Sequence, residues 1–165
     1  MRLALVAPVI VLATPLLAQQ RELGTLGLNL RVGGSPAVGV TWRASPAVVV
    51  RPAVSFAWNK TETPLGGTNE TTQYTVNLDV LCRTASWNRL ISYLGAGGGV
   101  GNISGSGGLA GKIWAARALA GAQLNVVDRV AVFGELGFEY VHGEGFQGKR
   151  AALQTFPIGI VVFFK

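Results

Sequence analysis

The sequence predicts an all-β protein, an eight-stranded antiparallel up-and-down transmembrane β-barrel. Three observations carry this. Apolar residues alternate with polar or small ones at a period of two in one segment after another. No stretch beyond the N-terminus is both long and apolar enough for a membrane helix, and aromatic residues gather at both ends of the alternating segments. Composition sets the frame. A chain of 165 residues suits one domain, and 49% hydrophobic with 13% charged residues excludes a disordered chain or a coiled coil. The single Cys excludes a disulfide scaffold and any multi-cysteine metal site, and no cofactor-binding pattern is present.

The first 20 residues have the three parts of a secretory signal peptide. Arg2 supplies the positive start, residues 3–17 are uncharged and mostly apolar, and Leu16-Leu17-Ala18 ends in a small residue suited to cleavage. A transmembrane helix is the alternative, but the stretch falls short of roughly 20 apolar residues, and Pro8 and Pro15 interrupt it. Residues 1–18 are therefore expected to be the signal and residues 19–165 a single outer-membrane barrel domain. No Cys follows Ala18, so a lipid anchor is not expected. The longest uncharged segment further on, residues 91–111, contains nine glycines, which helices disfavour. Only helices and closed barrels satisfy their backbone hydrogen bonds in lipid, so an exported apolar chain without a helix points to a barrel.

The elements follow in order. Leu26, Leu28, Leu30 and Val32 share one face of the first segment, opposite Gly27, Asn29 and Arg31. Val38, Val40 and Trp42 oppose Thr41 and Arg43 in the second. In the third, Val48, Val50, Val54, Phe56 and Trp58 oppose Arg51, Ala53 and Ser55; Pro52 removes a ladder donor there and is expected to mark a bulge. The fourth sets Tyr74, Val76, Leu78, Val80 and Cys82 against Thr75, Asn77, Asp79 and Arg83. The fifth, residues 90–101, is too glycine-rich for its faces to be assigned. Trp114, the alanines 116 to 122, Leu124 and Val126 oppose Arg117, Gln123 and Asn125 in the sixth. Val130, Val132, Leu136, Phe138 and Tyr140 oppose Glu135 and Glu139 in the seventh, and Phe156, Ile158, Ile160, Val162 and Phe164 form one face of the last. Lengths of about 8–12 residues match the roughly 9–11 of a tilted transmembrane strand.

Short turns are expected at Ala44-Ser45-Pro46, residues 84–88 and Val127-Asp128-Arg129, with longer polar loops at residues 60–72, 102–111 and 143–152 on the other side; the loop at 33–36 is short. This asymmetry is the bacterial outer-membrane pattern. Alternation alone leaves open which face is dry, because a soluble lipocalin-type barrel would put the apolar set inside. The aromatics decide for lipid. Trp58, Tyr74, Trp114, Tyr140 and Phe156 fall at one end of the apolar parity and Trp42 and Phe164 at the other, as two interfacial girdles require.

Tyr93-Leu94-Gly95-Ala96-Gly97-Gly98-Gly99-Val100-Gly101 resembles the tyrosine–glycine strand of small OmpA/OmpX-like outer-membrane barrels, the opacity-type, porin-family proteins. The segments 121–129 and 133–140 resemble that family's penultimate hairpin. The likeness implies an outer-membrane location, the barrel fold, and recognition of the last strand by the barrel assembly machinery through a terminal aromatic; here Lys165 follows Phe164.

On the inward parity lie Arg31, Arg43, Arg51, Asp79, Arg83, Arg117, Glu135 and Glu139, and charges inside a narrow barrel need partners. Setting Val126 opposite Val130 places Arg117 across from Glu139. The expected role of this set is a structural plug, with a small-solute channel as the alternative. A lipid A-modifying enzyme is a weaker alternative: His142, the single histidine, has no serine near it on its strand. Residues 95–101 lack a complete phosphate-binding glycine motif, and Cys82 reads as a small apolar residue. Despite a net charge of +6, the basic residues are scattered, so nucleic acid is not an expected partner. The expected partners are outer-membrane lipids, lipopolysaccharide phosphates near Lys60, Lys112, Lys149 and Arg150, and an extracellular ligand met through the loops.

Overall fold

Alternating apolar positions produce strands that show one face to lipid and the other to the lumen. In the computed structural model they are β1 (Leu26–Val32), β2 (Ala37–Arg43), β3 (Val48–Glu62), β4 (Thr68–Trp87), β5 (Leu90–Gly105), β6 (Leu109–Val127), β7 (Val130–Gly143), β8 (Lys149–Gln154) and β9 (Ile158–Phe163). The structure describes residues 24–33, 36–62, 67–106, 109–143, 149–154 and 157–164; the expected signal peptide and Phe156 lie outside them. Consecutive strands from β1 to β7 pair antiparallel, and β1 closes the ring against β9. β8 and β9 pair with different stretches of β7 and so are two segments of one eighth stave. The wall is an eight-stranded antiparallel barrel.

Its faces are inverted relative to a soluble barrel. Leu28, Val54, Val76, Leu78, Phe138 and Ile160 are each about half exposed on the outer wall, while Arg51, Asp79, Arg117 and Glu135 are buried inside. Among the described residues no helix is long and apolar enough to cross a membrane. The lipocalin-type arrangement is therefore wrong for this chain.

Several boundaries differ from the sequence reading. β3 to β7 are 14 to 20 residues long, beyond the expected 12. The segment 60–72, read as a loop, continues the β3–β4 ladder through Lys60↔Glu70 to Glu62↔Thr68. Threonine-rich polar sequence makes good strand but has no apolar face, so it lacks the alternation by which strands are recognised. The β5–β6 ladder likewise runs on to Gly105↔Leu109, and β8 forms within the expected last loop. By contrast the β1–β2 hairpin stops at Val32 and Ala37, which leaves the rim low on that side.

At Pro52 there is no bulge. The β4 ladder passes through Pro52↔Leu78, and on the β2 side pairing skips from Gly39↔Ala53 to Trp42↔Val50 in unchanged register. The absent N–H opens one ladder without inserting a residue. Register shifts fall instead between Arg83 and Ala85 and between Asn125 and Val127. The second shift tightens the β6–β7 connection to Asp128-Arg129, flanked by Val127↔Val130. Asn88, the first residue of the equally short β4–β5 turn, takes φ 52°, a left-handed conformation that asparagine tolerates.

The structure assigns the glycine-rich fifth strand. Ile91 and Tyr93 are buried in the lumen, Leu94 and Val100 face outward, and Gly95, Gly97 and Gly99 share the inward parity. Each of these glycines lies opposite a larger inward residue of β4: Leu81↔Gly95, Asp79↔Gly97 and Asn77↔Gly99. A Cβ on Gly95 would meet Leu81 Cδ2 at 2.5 Å, and one on Gly99 would meet Asn77 Oδ1 at 2.3 Å. The bare strand is the space over which its neighbour's side chains lie. Tyr93 in turn covers Gly121 of β6, and Phe133 covers Gly159 of β9.

Candidate functional site

The lumen is layered along its axis. Toward the short turns it holds two apolar clusters, Ala131, Phe133, Val161 and Phe163 in one and Val49, Leu81, Tyr93 and Leu119 in the other. The sequence reading took the inward set to be chiefly charged and did not identify these clusters. Inside eight strands a side chain is removed from both water and lipid, so apolar packing suits it as well as paired charge.

Four charges from four staves meet in the middle. Arg51 of β3 donates from Nη2 to Glu135 Oε1 of β7 at 2.5 Å and approaches Asp79 Oδ2 of β4 at 3.5 Å. Arg117 of β6 donates from Nε to Asp79 Oδ1 at 2.6 Å and from Nη1 to Asn77 Oδ1 at 3.5 Å. The Tyr93 hydroxyl donates to Glu135 Oε1 at 2.9 Å, and Asn77 Nδ2 donates to Ser55 Oγ at 3.1 Å. Asp79 is 1% exposed, so its charge rests on these two guanidinium groups. Removing one partner from such a pair typically costs about 3–5 kcal/mol, because the survivor stays buried and uncompensated.

The remaining charges of the inward set are distributed around this centre. Glu139 stands across the ladder from Arg117, with its Oε1 3.9 Å from Arg117 Nη1, a longer contact than the one Arg117 makes with Asp79. Neighbouring-strand arithmetic finds the first partner; Asp79 lies two strands away on β4 and meets Arg117 over the bare Gly97 of β5. Arg31 lies buried on the long-hairpin side of the cluster. Arg43 ends β2 near the short turns, its guanidinium 4.7 Å from the Phe163 ring centre, and Arg83 lines the lumen at that same end. Arg51 also stacks on Phe133 at 4.9 Å. Tyr93, Asn77 and Ser55 complete the network and were not singled out from sequence. For Tyr93 the hidden signal was the irregularity after Arg83, which sets the parity of β5.

Two small cavities flank the cluster. One, of about 30 Å³, lies toward the long hairpins and is lined by Arg31, Gln73, Thr75, Asn77, Arg117 and Glu139 among others. The other, of about 20 Å³, lies toward the short turns beside Arg51, Arg83, Tyr93 and Gln123. Each has room for about one or two water molecules. The bonded cluster lies between them. Among the described residues no group of three His, Cys, Asp or Glu side chains is arranged to hold a metal ion.

Aromatics stand outward at both rims. Trp58, Tyr74, Trp114 and Tyr140 occupy the long-hairpin end and Trp42 and Phe164 the short-turn end, where Trp87 is also exposed. Trp114 packs against Tyr140 at 5.5 Å and against the His142 imidazole at 5.4 Å, ring centre to ring centre. His142 is a half-buried residue near the outer end of β7, opposite Trp114. Lys60 pairs with Glu70 at 3.7 Å, both about half exposed, a contact worth about 0–1 kcal/mol.

An inverted eight-stranded wall, apolar outside and with a buried charged cluster inside, defines the architecture of an outer-membrane β-barrel. Solved structures resemble it. Neisserial surface protein A matches with a TM-score of 0.59 at 13% identity, covering 84% of this chain and 93% of that one. Acinetobacter baumannii CarO matches at 0.48 and 14% identity over 89% and 100% of the two chains. A major outer membrane protein from Thermus thermophilus matches at 0.47 and 15% identity over 84% and 99%. At these identities the likeness concerns the fold. No protein-family model and no curated protein matches the sequence.

Proposed function

We propose that this chain is an integral outer-membrane protein of the small OmpA/OmpX-like kind, non-enzymatic, with a structural role or a surface-interaction role carried by its long hairpins. The observation that carries this is the bonded midsection of the lumen, where Arg51, Asp79, Arg117 and Glu135 form a chain of ion pairs between cavities of about 30 and 20 Å³. A path for solutes would require these bonds to part, against the several kcal/mol that separating buried charges costs. The wall supplies the membrane contact, and the hairpins β3–β4, β5–β6 and β7–β8 supply the surface beyond it. Outer-membrane lipids, including lipopolysaccharide near Lys60 and Lys112, are the proposed surroundings.

Planar-bilayer recording of the purified, folded protein tests the reading. Wild type is expected to show no discrete openings. Frequent, regular openings would instead favour a small-solute channel. Membrane fractionation with a heat-modifiability gel tests the location: the folded barrel is expected in the outer-membrane fraction, with different mobility before and after boiling.

A further inference from the structure

We propose that the long-hairpin half of the lumen binds a small monovalent inorganic anion of chloride size, held between the guanidinium groups of Arg31 and Arg117. Both residues line the cavity of about 30 Å³ on that side of the charged cluster, and they are only 7% and 8% exposed. Two of the three carboxylates nearby are committed elsewhere, and the third, Glu139, lies 3.9 Å from Arg117 Nη1. Asp79 accepts from Arg117 and Arg51, and Glu135 accepts from Arg51 and Tyr93. Among the described residues no carboxylate lies within 4.0 Å of Arg31. Arg31 shares the cavity lining with the like-charged Arg117 and with Glu139.

Arg117 is incompletely satisfied as well. Its Nε and Nη1 have acceptors, but Nη2 is buried with no hydrogen-bond partner among the described residues. Two buried guanidinium groups thus border one polar cavity with donors to spare. Water would accept their hydrogen bonds but adds no negative charge between the two guanidinium groups; an anion does both. The hydroxyls of Ser55 and Thr75 and the amides of Gln73 and Asn77 offer further donors on the lining. Size and charge restrict the ligand. Room for about two water molecules suits a halide and excludes sulfate or phosphate. The carboxylate of Glu139 on the same lining repels polyanions more than a single charge. This inference stands apart from the role of the hairpins.

The test compares the folded full-length protein in detergent micelles in sodium chloride and in sodium gluconate at equal ionic strength. Chloride is expected to raise the temperature at which the compact gel band converts to the unfolded one, because a ligand of the folded state stabilises it by mass action. Saturable ³⁵Cl NMR line broadening, displaced by bromide and not by sulfate, is expected alongside. Arg31→Gln should weaken the chloride affinity about tenfold, while Lys60→Ala should leave it unchanged. Equal behaviour in chloride and gluconate, equal competition by sulfate, or undiminished broadening in Arg31→Gln would each overturn the proposal. Should that variant not fold, bromide-soaked wild-type crystals decide: an anomalous peak between Arg31 and Arg117 supports the site, and its absence at saturating bromide sinks it.

Discussion

The Asp79 carboxylate occupies the space that a side chain on Gly97 would need. The two residues face each other across the β4–β5 ladder, and a Cβ on Gly97 would lie 2.0 Å from Asp79 Oδ1. That oxygen is the acceptor for Arg117 Nε. The glycine run of the fifth strand is thereby tied to the charged cluster: one makes room for the other.

Gly97→Ala should therefore cost about 3 kcal/mol or more, the sum of overpacking and a displaced buried ion pair. Gly134→Ala is the matched control, since nothing lies within 4 Å of a Cβ there, and it should stay within about 0.5 kcal/mol of wild type. Urea unfolding in micelles or vesicles measures both. Equal effects would show that the space over β5 is not what the glycine provides.

Leu78 stands half exposed on the outer wall, next in sequence to the buried Asp79. Leu78→Arg should cost about 2–4 kcal/mol for folding into lipid vesicles if the position lies near the bilayer midplane. On a water-facing surface the same change would stay within about 0.5 kcal/mol. Folding yield and unfolding midpoint in vesicles distinguish the two outcomes.

The Tyr93 hydroxyl is one of two donors to Glu135 Oε1, the other being Arg51. Tyr93→Phe keeps the ring over Gly121 and removes only that bond, so a loss of about 1.5–3 kcal/mol is expected. Bilayer recordings of the same variant should remain without openings, because the Arg51–Glu135 and Arg117–Asp79 bonds persist.

Lys60→Ala should change stability by about 1 kcal/mol at most, as its pair with Glu70 is exposed. The informative measurement is affinity for lipopolysaccharide, compared with Lys112→Ala. Undiminished binding in the double variant would dismiss these lysines as headgroup contacts.

What sequence made legible followed from one physical rule. Wherever a strand had lipid on one side, as from Leu26 to Val32 or from Tyr74 to Cys82, period-two alternation marked both the strand and its facing. The rule was silent where a face carried no contrast. Glycines 95 to 101 have no side chains to contrast, and Thr68 to Thr72 are polar on both sides, so one strand went unassigned and several hairpins were cut short. The site was legible to the same depth. Parity identified which charges point inward, and ladder arithmetic placed Arg117 opposite Glu139. A contact spanning the lumen, such as Arg51 to Glu135, depends on how the sheet curves, and Arg117 to Asp79 depends on the register of the glycine strand between them, neither of which a local pattern encodes.

Arg51 and Glu135 are 84 residues apart and Asp79 and Arg117 are 38 apart, yet each pair shares a short bond. Asp79 and Arg117 meet over Gly97 within three consecutive strands, whereas Arg51 on β3 and Glu135 on β7 stand on opposite staves and meet only when the sheet rolls up. A half-rolled wall would leave Glu135 without its guanidinium partner, so partial insertion is penalised. The Arg51–Glu135 bond thus acts as a latch that engages when the ring closes.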